Sequence, residues 1–211
     1  MDALVMCGGR GTRLRGGEKT ERFSTIEKPL VEVGGEAMFD RVVDALRASR
    51  IGGDGAVAGQ IHAVVSPHAP ETAERARELS LSVVATPGDG YVSDLTTALD
   101  AIGRPALTVP ADLPLLASEH VDDAVERSVG DSEGTDAREP TSITVCAPVA
   151  LKRRLGASVD TAFEHDGRTV APTGLNVVAG DDDTVALTYD ARLAVNVNRP
   201  SDRELAGALC E

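Results

Sequence analysis

Residues 1–14 read MDALVMCGGRGTRL, an apolar run over 2–7 that stops at a glycine pair and continues into arginines. A short apolar run closed by glycine predicts a buried strand feeding a tight turn. Gly8, Gly9 and Gly11 free the backbone so that its N–H groups can turn toward an anion. Arg10 and Arg13 bring full positive charge to the same turn, with Thr12 between Gly11 and Arg13. The opening therefore predicts a strand whose carboxyl end holds phosphate.

Two better-known phosphate loops do not fit. In GTRLRGGEKT (11–20), Glu18 separates Gly17 from Lys19 and puts an acid where phosphate would dock. In the segment that starts at Gly9, Leu14 stands where the dinucleotide fingerprint needs its third glycine.

The same alternation continues downstream. IHAVVS (61–66), LSVVAT (81–86) and ALTVPAD (106–112) read as strands. Segments 37–50, 70–80, 92–102 and 118–129 carry helical spacing, with Ser118 as the expected N-cap of the last. This order implies a mostly parallel sheet with helices on both faces and ligands beyond the strands' carboxyl ends. After residue 140 the pattern turns strand-rich: 141–148, 174–180, 184–188 and 193–198 read as strands, and a helix starts at Pro200. These elements are expected to complete the same sheet and cover the pocket. The expectation is one domain over 1–211, with a nucleotide-binding half (1–130) and an acceptor-side half (141–211).

The net charge of −13 argues against a nucleic-acid binder. The only lysines are Lys19, Lys28 and Lys152, and an acid-rich, lysine-poor, aromatic-poor chain reads as the product of a salt-loving archaeon. The acidic run 130–140 is expected to be a solvated loop. Cys7, Cys146 and Cys210 are scattered, as are the four histidines, which speaks against a disulfide framework or a zinc site. No segment has membrane-span length, and MDALVMCGG has no basic stretch ahead of its apolar run, so a cytoplasmic protein is expected.

GGRGTRL (8–14) followed by EKPL (27–30) resembles the nucleotidyltransferases that carry a GGxGTRL…KPL signature after their first strand. The resemblance implies a Rossmann-like, three-layer α/β fold of the GT-A-like type with a mixed, mostly parallel sheet. It implies a phosphate cradle of Cys7, Gly8, Gly9, Arg10, Gly11, Thr12 and Arg13, and makes Lys28 the phosphate-binding lysine. Lys19 falls in an insertion spanning 17–27. In LTVPADLPLL (107–116), Asp112 matches the aspartate that binds Mg²⁺ on the nucleotide phosphates. Arg13, Lys28 and Asp112 are the expected catalytic groups. Asn196 and Asn198, in NVNRPSD, meet the metal or its water shell, or else supply turn chemistry with Asn198 as a helix cap.

PGDGYVSDL (87–95), VPADLP (109–114) and APTGLNVV (171–178), taken with the opening, narrow the resemblance to archaeal adenosylcobinamide-phosphate guanylyltransferases within the MobA-like NTP transferases. The implied partners are GTP and adenosylcobinamide phosphate. Gly88, Asp89 and Asp94 are candidates for ribose or base, with Asp94 equally readable as a first-turn helix acid. Thr173, Gly174 and Asn176 are candidates for the acceptor phosphate, or form a strand-start turn. Ser66–His68 lines the base or starts a turn. Another acceptor (molybdopterin or phospholactate) and a non-catalytic nucleotide sensor stay open, as do guanine over adenine and a homodimer over a monomer.

Overall fold

The computed structural model describes residues 1–9, 11–15, 26–55, 57–130, 139–180 and 182–210, without the side chains of Thr12 and Arg15. Arg10, Lys19, most of the expected 17–27 insertion and most of the acidic 130–140 segment lie outside the described residues.

The strands are β1 (Asp2–Met6), β2 (Glu32–Val33), β3 (Glu36–Ala37), β4 (Ile61–Val65), β5 (Ser82–Ala85), β6 (Ala106–Pro110), β7 (Ser142–Pro148), β8 (Phe163–His165), β9 (Arg168–Val178) and β10 (Asp183–Leu187). The helices are α1 (Thr12–Arg15), α2 (Met38–Ala48), α3 (Pro70–Glu78), α4 (Tyr91–Ile102), α5 (Ser118–Val129), α6 (Val149–Leu155) and α7 (Pro200–Ala208). The main sheet runs β10-β7-β9-β6-β1-β4-β5, with β8 added to β9. Strands β10/β7, β6/β1, β1/β4 and β4/β5 pair in parallel, and β9 runs antiparallel to both its neighbours. Strands from both halves of the chain thus share one mixed, mostly parallel sheet.

Alternation along β1 explains why its sequence is apolar throughout. Ala3 and Val5, with Cys7 beyond them, pack with Phe39, Val42, Ala76 and Val121 of α2, α3 and α5. Leu4 and Met6 point the other way, onto Ala98 and Leu99 of α4. A strand covered on both faces has no polar side to show.

Register sets the site. Met6 lies opposite Pro110, so β1 and β6 end level and release Gly8 and Asp112 side by side. Because β9 is antiparallel, with Asn176 opposite Thr108, it brings Thr173 and Gly174 to that same edge. A separate apolar cluster of Leu14, Val31, Met38, Leu115, Val195 and Val197 packs α1, the EKPL turn and the segment before α7 against one another.

Three expectations are corrected. The predicted strand 193–198 is a 3₁₀ turn over Ala191–Ala194 followed by an irregular segment. Its Val197 N–H donates to the carbonyl of Asp112, a loop residue past the end of β6, so no ladder can propagate. Strand β9 starts at Arg168, six residues ahead of the predicted 174, because a hairpin with β8 extends it. The N-cap of α5 is Ala117 and not Ser118, so no side chain at the cap accepts from the first turn; instead the N3 ring of His120 reaches back, its Nδ1 accepting the Ala117 N–H at 3.0 Å.

The lysine turn is anchored from outside its own segment. Glu27 is buried, and its carboxylate accepts from Glu71 N, Thr72 N and Thr72 Oγ1 at 2.8, 2.7 and 2.6 Å. It caps the first turn of α3, where free N–H groups and the helix dipole favour a negative charge. The acid of EKPL therefore fixes the backbone from which Lys28 projects. Replacing it (Glu27→Ala) is expected to lower the free energy of unfolding by about 2 kcal/mol, read from urea denaturation, since a buried charged cap with three donors is lost.

Candidate active site

The edge where β1, β6 and β9 converge opens into two adjoining cavities. One, of about 600 Å³, is lined by Gly8, Gly9, Gly88, Asp89 and Asp94. The other, of about 320 Å³, is lined by Arg13, Lys152, Thr173, Gly174, Asn176 and Asn196, among others. Tyr91, Pro110 and Asp112 border both, so the carboxylate stands at the junction of two compartments.

The glycine loop shapes the larger one. Among the described residues, the Gly8 and Gly9 N–H groups have no hydrogen-bond partner and are available as anion donors. Gly8 is required by close approach, because a Cβ there would lie 2.7 Å from Asp94 Oδ2. Asp94 cannot easily retreat, being 3% exposed and accepting the Gly88 N–H at 2.9 Å. Asp94 is therefore a first-turn acid of α4 that also holds the 87–90 turn against the phosphate loop. Gly11 has φ +63° and packs over Lys28, where a Cβ would meet the lysine Cβ at 3.0 Å. The Cys7 side chain is buried in the core with Sγ toward the Val5 carbonyl, and desolvation holds its thiol far above the usual range, so only its backbone faces the loop. Ser66–His68 forms the turn into α3, with Ala69 N donating to Ser66 O, and His68 borders Gly88.

A polar network radiates from Asp112. The Lys28 ammonium bonds Asp112 Oδ2 and also donates to Asn198 Oδ1 at 2.7 Å. Asn196 Nδ2 donates to Asp112 Oδ1 at 3.3 Å and to the Thr173 carbonyl at 2.8 Å. Lys152, 3% exposed, donates to the Ala194 carbonyl at 2.7 Å and reaches Asn196 Oδ1 at 3.4 Å. Burial lowers the Lys152 pKa, offset in part by the charges of Asp202, Asp112 and Asp160.

Arg13, expected beside phosphate, is exposed and ion-paired to Asp160 at 2.7 Å at the rim of the smaller cavity. Thr173 is buried, its hydroxyl donating to the Val145 carbonyl at 2.9 Å, so it offers the cavity its backbone. Asn176 Nδ2 donates to the Gly174 carbonyl at 3.0 Å. Asn198 does not cap α7. Asp202 does, accepting the N–H groups of Asn198 and Arg199 at 3.0 and 2.8 Å, which leaves the Asn198 oxygen for Lys28.

Two lining residues escaped the sequence reading. Lys152 is one of only three lysines, and Tyr91 one of only two tyrosines, set between glycines and a helix. Rarity was the available signal for both. Desolvation of the Tyr91 hydroxyl raises its pKa, opposed by hydrogen bonding from Thr108 and Asn176 and reinforced by the charge of Asp112.

The donor set at the junction suits a hard cation. Asp112 Oδ2 and Asn198 Oδ1 already converge on one positive charge, that of Lys28. Among the described residues no three His, Cys, Asp or Glu side chains cluster as a metal cage, so an ion here would draw its remaining ligands from phosphate and water, the habit of magnesium.

An edge that offers an anion cradle on one side of a carboxylate and a second compartment on the other is built for group transfer between two molecules, and this fold with that edge defines a nucleotidyltransferase. Residues 3–173 match the model of the MobA-like NTP transferase domain, and the chain belongs to that family. It is 28% identical over 217 residues, 99% of this chain and 97% of the relative, to an adenosylcobinamide-phosphate guanylyltransferase of Methanocaldococcus jannaschii. Among solved structures it is similar to a nucleotidyl transferase from Methanothermobacter thermautotroptrophicus, with TM-score 0.61 at 16% identity over 95% of this chain and 93% of that one. It is also similar to a hypothetical transferase from Thermus thermophilus, with TM-score 0.53 at 21% identity, covering 84% of this chain and 64% of that one.

Placing a methyl group between the glycine loop and Asp94 (Gly8→Ala) is expected to cost about 1–3 kcal/mol of stability by overpacking. It should also weaken nucleoside triphosphate binding. Urea denaturation and calorimetric titration measure the two effects separately.

Proposed function

We propose that this enzyme transfers GMP from GTP to adenosylcobinamide phosphate, giving adenosylcobinamide-GDP and pyrophosphate. The observation that carries the reading is the pair of cavities meeting at Asp112, one with a phosphate cradle and one without. The near full-length similarity to a guanylyltransferase of that name supports the choice of substrates.

In this reading residues 1–130 hold the nucleotide and 141–211 the acceptor, within a single domain. The free N–H groups of Gly8 and Gly9, continued through Arg10 to Thr12, receive the triphosphate. Gly88 and Asp89 border the nucleoside, and Asp94 keeps their turn in place. Lys28 turns its ammonium from Asp112 to the phosphate oxygens, a reach its flexible four-carbon stem allows. Arg13 leaves Asp160 for the same anion or for the acceptor. Thr173 and Gly174 by backbone, and Asn176 by side chain, orient the acceptor phosphate.

An oxygen of that monoester forms the new bond to the α-phosphorus as the bond from α-phosphorus to the bridging β-oxygen breaks, and the electron pair departs on pyrophosphate. The monoester is ionised at neutral pH, so no strong base is needed. Alignment and charge stabilisation supply the catalysis. Asp112 and Asn198 would hold Mg²⁺, with Asn196 orienting the carboxylate; the ion's contribution is to neutralise charge on the phosphate oxygens. An acid-rich, lysine-poor surface suits the cytoplasm of a salt-loving archaeon.

The test is pyrophosphate release from GTP with Mg²⁺ and each candidate acceptor. Adenosylcobinamide phosphate should be turned over and molybdopterin or phospholactate should not. GTP binding without release on any acceptor would instead mark a nucleotide sensor. Lys28→Ala is expected to lower turnover about 10²-fold or more, the usual loss of one charge-stabilising donor. Lys19→Ala should leave it unchanged. The reverse pattern would mean that the phosphate lysine is Lys19.

A further inference from the structure

A third cavity, of about 430 Å³, opens beside the smaller compartment. Two elements separate the two spaces: Lys152 and Ala171 line the compartment at Asp112, while Arg153 on α6 and Thr169 on β9 line the third cavity. Its apolar side is Pro148, Val149 and Ala150. Arg153 and Arg168 supply two guanidiniums, and Tyr189, 61% exposed, supplies a ring whose hydroxyl accepts a hydrogen bond from Arg168.

Arg13, Arg75, Arg192 and Arg199 each hold a carboxylate, whereas neither Arg153 nor Arg168 makes an ion pair with a described residue. Glu164, on β8 beside Arg168, accepts from the Thr169 hydroxyl at 2.6 Å instead. Two guanidinium forks without a carboxylate partner among the described residues, one of them donating to the Tyr189 hydroxyl, stand beside an aromatic ring and an apolar wall and suit a flat ligand with carbonyl or anionic groups on its rim.

Size points the same way. A compartment of about 320 Å³ is at the small end for a drug-sized ligand and accommodates the phosphate end of a cobinamide, not its macrocycle. The rest of such an acceptor must leave the compartment, and α6 with the start of β9 forms one of its walls, next to the third cavity.

We propose that Arg153, Arg168 and Tyr189 form a docking site for the amide-fringed macrocycle of the acceptor, across α6 from the reacting phosphate. This rests on the reading of the acceptor given above. The guanidiniums donate to rim carbonyls, and the ring and apolar wall cover the macrocycle's hydrophobic flank. The three side chains position substrate and do not touch the reacting atoms.

Both arginines are exposed, so Arg153→Ala, Arg168→Ala and the double variant should fold as the wild type does. The KM for adenosylcobinamide phosphate should rise about tenfold per arginine, the effect of losing about 1.4 kcal/mol of binding each, with kcat and the KM for GTP within about twofold. Adenosylcobinamide, which lacks the phosphate, should bind the wild type in calorimetry and fail to bind the double variant. An unchanged acceptor KM in the double variant overturns the proposal. So does a second equivalent of GTP that binds the wild type and is lost in the variant, which would make the cavity a nucleotide site. If the wild type fails to turn over adenosylcobinamide phosphate, the reading of the acceptor falls. The docking site is then judged by adenosylcobinamide binding alone, and no binding to the wild type overturns it too.

Discussion

The site is organised by one carboxylate. Asp112 receives the Lys28 ammonium on one oxygen and the Asn196 amide on the other, and its own carbonyl accepts the Val197 N–H. These bonds join a loop past β6 to segments more than 80 residues away on either side. A carboxylate and an ammonium this deeply placed, with side chains 18% and 13% exposed, are tolerable only because each neutralises the other and each keeps an amide partner. In the proposed reaction Lys28 leaves this pair for phosphate, and a metal ion would take its place at Asp112.

Much of the surrounding structure serves to hold that junction still. Glu27 caps α3 and so fixes the backbone of Lys28; Asp202 caps α7 and frees the Asn198 oxygen; Asp94 braces the turn at 88–90 against Gly8. These three acids are buried, each with backbone donors as partners. The cost of burying them is offset by the helix ends and turns they organise.

How much was legible follows from which interactions are local. The βα order, the strand-end placement of Gly8 and Asp112, and the two-faced burial of β1 are written in apolar spacing, which the chain carries within each segment. The 193–198 segment misled because Val195 and Val197 alternate like a strand. Their apolar partners, however, lie in a side cluster with Leu14 and Met38, and the backbone donor of Val197 goes to a loop. Lys152 was hard to find because nothing next to it in sequence carries chemistry, and Tyr91 because its neighbours Gly88, Asp89 and Asp94 drew the reading; the tertiary fold places one against Asn196 and the other at the border of both cavities.

The sequence by itself determined the fold class and the place of the glycine loop, because periodicity and spacing are short-range properties of the chain, and its motifs carried the resemblance to the family. Tertiary structure alone decided which oxygen Lys28 holds, that Asn198 faces a cation while Asn196 faces a carboxylate, and that two compartments share Asp112. Those outcomes depend on the antiparallel course of β9 and on caps contributed by distant segments. Register and long-range hydrogen bonds exist only once the sheet has formed.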